Sequence, residues 1–197
     1  MKKKYLSLML IVILVFFLTA CVGMGADMPM ELTIDGYTIV LGQTTMKDMT
    51  DLGYEVSLTA MPDTVSRGDK YVPFYYRLSK GAGNELFVTV YVPWGGSSDI
   101  SAEARLAPTE GIIRRVEVRT STVEKVEAYY NDVEIKELTF ETACEWGAKQ
   151  DEEAYALTYE INARDGLVKF ASQSWQYEEF YVLTLQLSKK KFEQMQK

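Results

Sequence analysis

Two short stretches of this chain spell the same helix, and that self-similarity constrains the fold more than any other feature. Residues 41–53 and 135–147 align at an offset of 94: Thr45 meets Thr139, Met46 meets Phe140, Met49 meets Ala143, Thr50 meets Cys144 and Gly53 meets Gly147. In each stretch a threonine is placed to cap the first turn and a glycine to close the last, which predicts a helix of about two turns. The flanks agree. Strand-like triplets sit either side of Asp35-Gly36 before the first helix and of Asn131-Asp132 before the second, and both dipeptides favour hairpin turns.

After each helix come strand-like runs: 71–78, 85–92 and 112–119 in the first half, and 155–161, 167–171 and 180–187 in the second. Leu86, Val88, Val90, Val92, Val116 and Val118 alternate with polar or aromatic residues, the pattern of strands buried on one face only. The expected fold class is α+β: two tandem units, each a hairpin, a short helix and an antiparallel sheet. The expected organisation is a leader at 1–20, a tether at 21–30, a first unit at 31–120 with two inserted loops, a second unit at 121–188, and a basic tail at 189–197. A single α+β domain without internal duplication is the alternative.

The leader opens with Lys2, Lys3 and Lys4 and then runs apolar to Ala20. That layout is a secretory signal, too short for a spanning helix, which needs about 20 apolar residues. It ends in Leu18-Thr19-Ala20-Cys21, which resembles the lipobox of bacterial lipoproteins. The resemblance implies cleavage before Cys21, a diacylglyceryl lipid on its thiol as the only attached group, and an extracytoplasmic domain anchored to the membrane. In a Gram-positive cell that is the outer face of the cytoplasmic membrane. A stable anchor needs two acyl chains, which the diacylglyceryl group supplies.

Removing the three leader lysines from 21 basic residues leaves 18, against 28 acids, so the part after the leader carries a net charge of −10. That sign argues against nucleic acid and against binding an anionic membrane surface directly. Besides Cys21 only Cys144 is present, so no internal disulfide forms and stability must come from the core. The helical pattern places Cys144 with Phe140 and Ala143 as a small core residue.

The chain has no histidine. This removes Ser-His-Asp and Cys-His chemistry, the imidazole base and the usual histidine-bearing zinc site. Gly81-x-Gly83 is a hairpin turn rather than a phosphate cradle. Asp151-Glu152-Glu153 reads as a solvated turn without the spaced ligands of a calcium loop. No catalytic or metal-binding residues are expected.

The tandem arrangement is similar to the β-lactamase-inhibitor-protein and outer-membrane assembly lipoprotein (BamE-type) superfamily. It also resembles uncharacterised lipoproteins of Gram-positive bacteria that carry Leu-Gly-x-Thr-Thr and a later Gly-Tyr, here at 41–45 and at Gly53-Tyr54. The likeness lies in pattern and covers most of residues 31–188. It implies protein contact through the sheet face and loops.

Two loops of the first half have no counterpart in the second. The loop at 61–70 carries Asp63, Arg67 and Asp69, and the loop at 93–111 carries Trp94, Glu103 and Arg105. Long loops on a rigid sheet are where binding resides. Trp94, Arg67 and Asp69 are therefore the candidate contact residues, although Trp94 closing the end of the sheet over the core is the slightly favoured reading of that residue. Arg67-Gly68-Asp69 is also similar to the integrin-binding tripeptide, a match that recurs by chance.

The expected function is a non-enzymatic binding module for a protein or cell-envelope partner. The alternatives are an envelope hydrolase working through two carboxylates and a small-ligand carrier with an apolar cavity of about 300 Å³ or more.

Overall fold

The computed structural model describes residues 26–62, 65, 69–81, 84–96, 100–119, 126–173 and 179–197. The leader, Leu18, Thr19, Ala20, Cys21 and Arg67 lie outside the described residues. Among those described, no helix is long and apolar enough to cross a membrane.

The first half runs β1 (Glu31–Ile34), β2 (Tyr37–Val40), α1 (Met46–Asp51), β3 (Glu55–Ala60), β4 (Tyr71–Lys80), β5 (Asn84–Pro93), α2 (Ser101–Glu110) and β6 (Ile112–Arg119). The second runs β7 (Ala128–Tyr130), β8 (Val133–Glu134), a 3₁₀ turn (Ile135–Glu137), α3 (Phe140–Glu145), β9 (Lys149–Gln150), β10 (Thr158–Asn162), β11 (Gly166–Ala171) and β12 (Val182–Leu187). Helix α4 (Lys189–Met195) follows. The chain is α+β with two antiparallel sheets. The larger has the order β3-β4-β5-β6-β12-β11-β10-β9, and the smaller β2-β1-β7-β8.

Local chemistry explains the elements that recur. Asp35 and Gly36 have φ of 52° and 75°, and Asn131 and Asp132 have φ of 50° and 63°. Both hairpins therefore turn through two left-handed residues, whose twist matches that of the flanking strands. In α1 the Thr45 hydroxyl accepts from Asp48 N–H at 3.2 Å while Thr45 N–H donates to Asp48 Oδ2 at 2.7 Å, a full capping box. In α3 Thr139 accepts from Thr142 N–H at 3.1 Å, with no carboxylate to reciprocate. Each helix then ends on a left-handed glycine, Gly53 (φ 89°) or Gly147 (φ 88°). Gly53 N–H donates to Thr50 O and Tyr54 N–H to Met49 O, and Gly147 and Ala148 repeat the pair onto Cys144 and Ala143.

The core lies between the eight-stranded sheet on one side and α1, α2, α3 and the small sheet on the other. Val72, Phe74, Tyr76 and Leu78 of β4, Leu86, Val88, Val90 and Val92 of β5, and Leu183, Leu185 and Leu187 of β12 point into it. Leu32, Ile34 and Ile39 from the hairpins and Met46, Met49 and Ala143 from α1 and α3 meet them there. At about 25 cal/mol per Å² of apolar surface removed from water, each such side chain contributes roughly 1.5–3 kcal/mol. No disulfide among the described residues supplements this.

The structure corrects several sequence expectations. Residues 93–111 are not one loop, because 101–110 form α2. Its start has no side-chain cap and Pro108 lies inside it, so the usual helix signals are missing. Each half has four large-sheet strands rather than three. The extra ones are β3, whose side chains are mostly exposed, and the two-residue β9. The strand expected from 155 begins at Thr158, since Tyr155 is 89% exposed in the preceding turn. Cys144 is exposed, not core. It stands one residue beyond the buried Ala143, and a step of 100° turns it to solvent as Thr50 is turned in α1.

The basic tail is also a structured element. Ser188 caps α4 by accepting from Lys191 N–H at 3.2 Å. Phe192 is buried against Tyr71 and Tyr91 with ring centroids 5.1 and 5.3 Å away.

Candidate functional site

The face of the large sheet opposite the core carries the unusual chemistry. Along β4 the residues between the buried ones are Tyr71, Pro73, Tyr75, Arg77 and Ser79; along β5 they are Glu85, Phe87, Thr89 and Tyr91. Cross-strand register lines them up. One row runs Arg77, Phe87, Glu117, Thr184, Lys169, Glu160, and the next runs Tyr75, Thr89, Arg115, Gln186, Leu167, Asn162.

Regular alternation along β6 would send Arg114 into the core. Instead the pairing shifts between Thr89 and Val90, where Thr89 faces Arg115 and Val90 faces Ile113. This bulge re-aims Arg114 onto the same face as Arg115. The two neighbouring arginines thus stand side by side with Tyr75, Thr89, Tyr91 and Gln186 around a small depression of about 80 Å³.

Arg114 is only 8% exposed. Its Nε donates to Leu187 O at 2.9 Å, an Nη donates to the Tyr91 hydroxyl, and its Cζ lies 4.6 Å from the centre of the Tyr91 ring. Burying a charge costs several kcal/mol. Hydrogen bonds from a charged donor return roughly 1.5–3 kcal/mol each and a desolvated cation–π contact about 2. These offset the desolvation, but every partner is neutral, and no carboxylate among the described residues forms an ion pair with Arg114.

The neighbouring charges divide unequally. Glu117 pairs with both Arg115 (3.2 Å) and Arg119 (3.5 Å), and Arg119 also lies over Phe87 at 4.1 Å. Two guanidiniums therefore share one carboxylate and the third, Arg114, has none, in a chain of net charge −7. The Nε atoms of Arg115 and Arg119 are covered yet have no hydrogen-bond partner among the described residues.

Arg114 and Tyr91 also line a second cleft on their other side, with Asp69, Tyr71, Pro73, Lys189, Phe192 and Glu193. There Lys189 donates to Asp69 at 2.7 Å. This hydrogen bond and the carboxylate charge hold the Lys189 ammonium above its ordinary pKa. A third cleft continues past Tyr75 and Arg115 to Phe87, Arg119 and Thr59. Together the three form an open furrow across the first half of the sheet, from α4 to β3.

Of the residues expected as contacts, Asp69 lies in this furrow, paired with Lys189. Trp94 is half-buried, packs on the core, and its backbone N–H donates to Lys70 O at 2.9 Å. Arg67 is outside the described residues. Glu103 is buried in α2 and ties down the loop after β5 by accepting from Gly95 N–H at 2.9 Å.

Sequence reasoning missed Tyr75, Phe87, Tyr91, Arg114, Arg115 and Arg119. The available signal was the doubled arginine interrupting alternation at 114–115, which marks a bulge. Among the described residues no group of acidic or cysteine side chains is arranged to hold a metal ion. Comparison with protein-family models, curated proteins and solved structures finds no match.

Proposed function

We propose that this chain is a lipid-tethered extracytoplasmic binding module, made of two copies of one α+β unit, that presents the open face of its large sheet to a protein or cell-envelope partner. The observation that carries the binding role is the composition of that face. Tyrosine and arginine dominate contact energies at interfaces, and here they are gathered on the one sheet face that does not pack into the core.

The duplication is supported by the strand order, which reads the same from both edges when β3 is matched to β9, β4 to β10, β5 to β11 and β6 to β12. The hairpins fit the same matching. Asp35 and Asn131 are 96 positions apart, as are Thr33 and Tyr129, which pair with each other where the hairpins meet. A pair that maps onto itself is what an approximate twofold axis between copies requires. The equivalent caps of α1 and α3 agree. The tether rests on the lipobox-like Leu18-Thr19-Ala20-Cys21 and on a net charge that gives the rest of the chain no attraction to anionic lipid.

The test is crosslinked co-purification from intact cells. Wild type should bring down a partner from the membrane fraction, and Phe87→Ala/Arg115→Ala should lose it while still fractionating with membranes. Cys21→Ala should leave the membrane. An unchanged partner set in the face variant would overturn the binding surface, and membrane retention of Cys21→Ala would overturn the anchor.

A further inference from the structure

We infer that the furrow docks an acidic peptide segment of a partner protein, with one of its carboxylates on Arg114 and its apolar or aromatic side chains against Tyr75 and Phe87. This rests on the reading of the open face as a binding surface and names the chemistry it selects. Arg115 and Arg119 share Glu117, and Arg114 has no carboxylate partner among the described residues. With Lys189, four cations face Asp69, Glu117 and Glu193, so the furrow is locally cationic within an acidic chain. Such a patch attracts acidic surfaces, a second copy of this acidic chain among them.

Arg114 itself has donors to spare. A guanidinium has five N–H donors, and here two atoms are engaged, both by neutral oxygens. The planar fork that remains matches a carboxylate, and in a buried setting a charge-assisted bond is stronger than a neutral one. Lys189 does not compete for the same anion, because Asp69 already meets its charge.

The furrow also distinguishes a peptide from a simple polyanion. The arginines alternate with aromatic surface: Tyr75 is exposed, and Phe87 lies under Arg119. A chain that bears both carboxylates and apolar side chains satisfies both, whereas a polyphosphate or a lipid headgroup satisfies only the cations.

The test uses the full-length protein in non-ionic detergent and a fluorescent peptide of alternating glutamate and leucine with a central tyrosine, read by anisotropy. The glutamate peptide should bind roughly tenfold or more tightly than its glutamine counterpart. Arg114→Gln should weaken it by a similar factor. Because Arg114 also bonds the Leu187 carbonyl, Arg115→Gln/Arg119→Gln serves as a second variant whose side chains carry no core contact, with the same loss expected. Lys47→Gln, on α1 at the other side of the molecule, should leave affinity unchanged.

Equal binding of the two peptides overturns the inference. So does displacement by inorganic polyphosphate or anionic vesicles with no preference for the glutamate peptide. Concentration-dependent self-association that Glu152→Gln/Glu153→Gln/Tyr155→Ala abolishes also overturns it, since a second copy would then fill the furrow. If the peptide fails to bind although the face still crosslinks a partner in cells, this assignment falls and the binding-module reading stands; if the face crosslinks nothing, both fall.

Discussion

Replacing Gly53 or Gly147 by alanine tests whether the two short helices end for the same physical reason. Both glycines are left-handed, at φ 89° and 88°, and a Cβ added at either would meet nothing within 4 Å. The penalty is therefore conformational alone, about 1–2 kcal/mol for a side chain in the left-handed region. Stiffening the unfolded chain by Gly→Ala returns about 0.4–1 kcal/mol, leaving a net loss near 1 kcal/mol at each site. Asparagine, which tolerates this conformation, should recover part of it. In urea unfolding followed by tryptophan fluorescence, with a slope of about 1–3 kcal/mol/M, each alanine should lower the midpoint by roughly 0.3–1 M without changing the slope.

Gly166→Ala is the contrast. Its Cβ would lie 2.1 Å from Gln186 O and 2.9 Å from the Met30 sulfur, so backbone must move and the loss should be about 3 kcal/mol. A neutral Gly53→Ala, or losses at Gly53 and Gly147 that differ by more than about 1 kcal/mol, would refute the reasoning.

Three further predictions concern titration, packing and exposure. Burial pushes the Tyr54, Tyr76 and Tyr130 hydroxyls above their ordinary pKa, so above pH of about 10 the unfolded chain releases protons that the folded chain keeps, and stability falls with rising pH. Melting from pH 8 to 11 should show the fall, and Tyr130→Phe should flatten it; a melting temperature that stays constant to pH 11 contradicts this. Trp94→Ala, which removes a half-buried ring packed on the core, should cost about 2 kcal/mol in the same urea assay. Cys144 should react with a maleimide in the folded protein nearly as fast as in urea, whereas strong protection would mean the thiol is covered.

What was legible in the sequence was what local chemistry writes directly. Asp35-Gly36, the Thr45 and Thr139 caps and the Gly53 and Gly147 stops each fix their own backbone, and the alternating valines of β5 and β6 name their buried face. The missing pieces depend on partners distant in the chain. β3 is held mainly by pairing with β4, so its own pattern is faint. α2 lacks a capping side chain and carries Pro108. The furrow was harder still, because it joins β3, β4, β5, β6, β12 and α4 from residue 59 to residue 193 and depends on a bulge that turns Arg114 outward. Loop length alone points to residues 61–70 and 93–111, while polar positions between buried strand residues look in the sequence like any solvated sheet face.

The central claim, that this open face is where the protein meets its partner, is tested most directly by a photo-crosslinking residue placed one position at a time in intact cells. Position 75 lies in the furrow, and position 50 is exposed on α1, on the core-packing side of the sheet. The account predicts a discrete crosslinked species from Tyr75, lost on adding Arg115→Gln/Arg119→Gln, and none from Thr50. Crosslinks from Thr50 with a silent Tyr75 would contradict it.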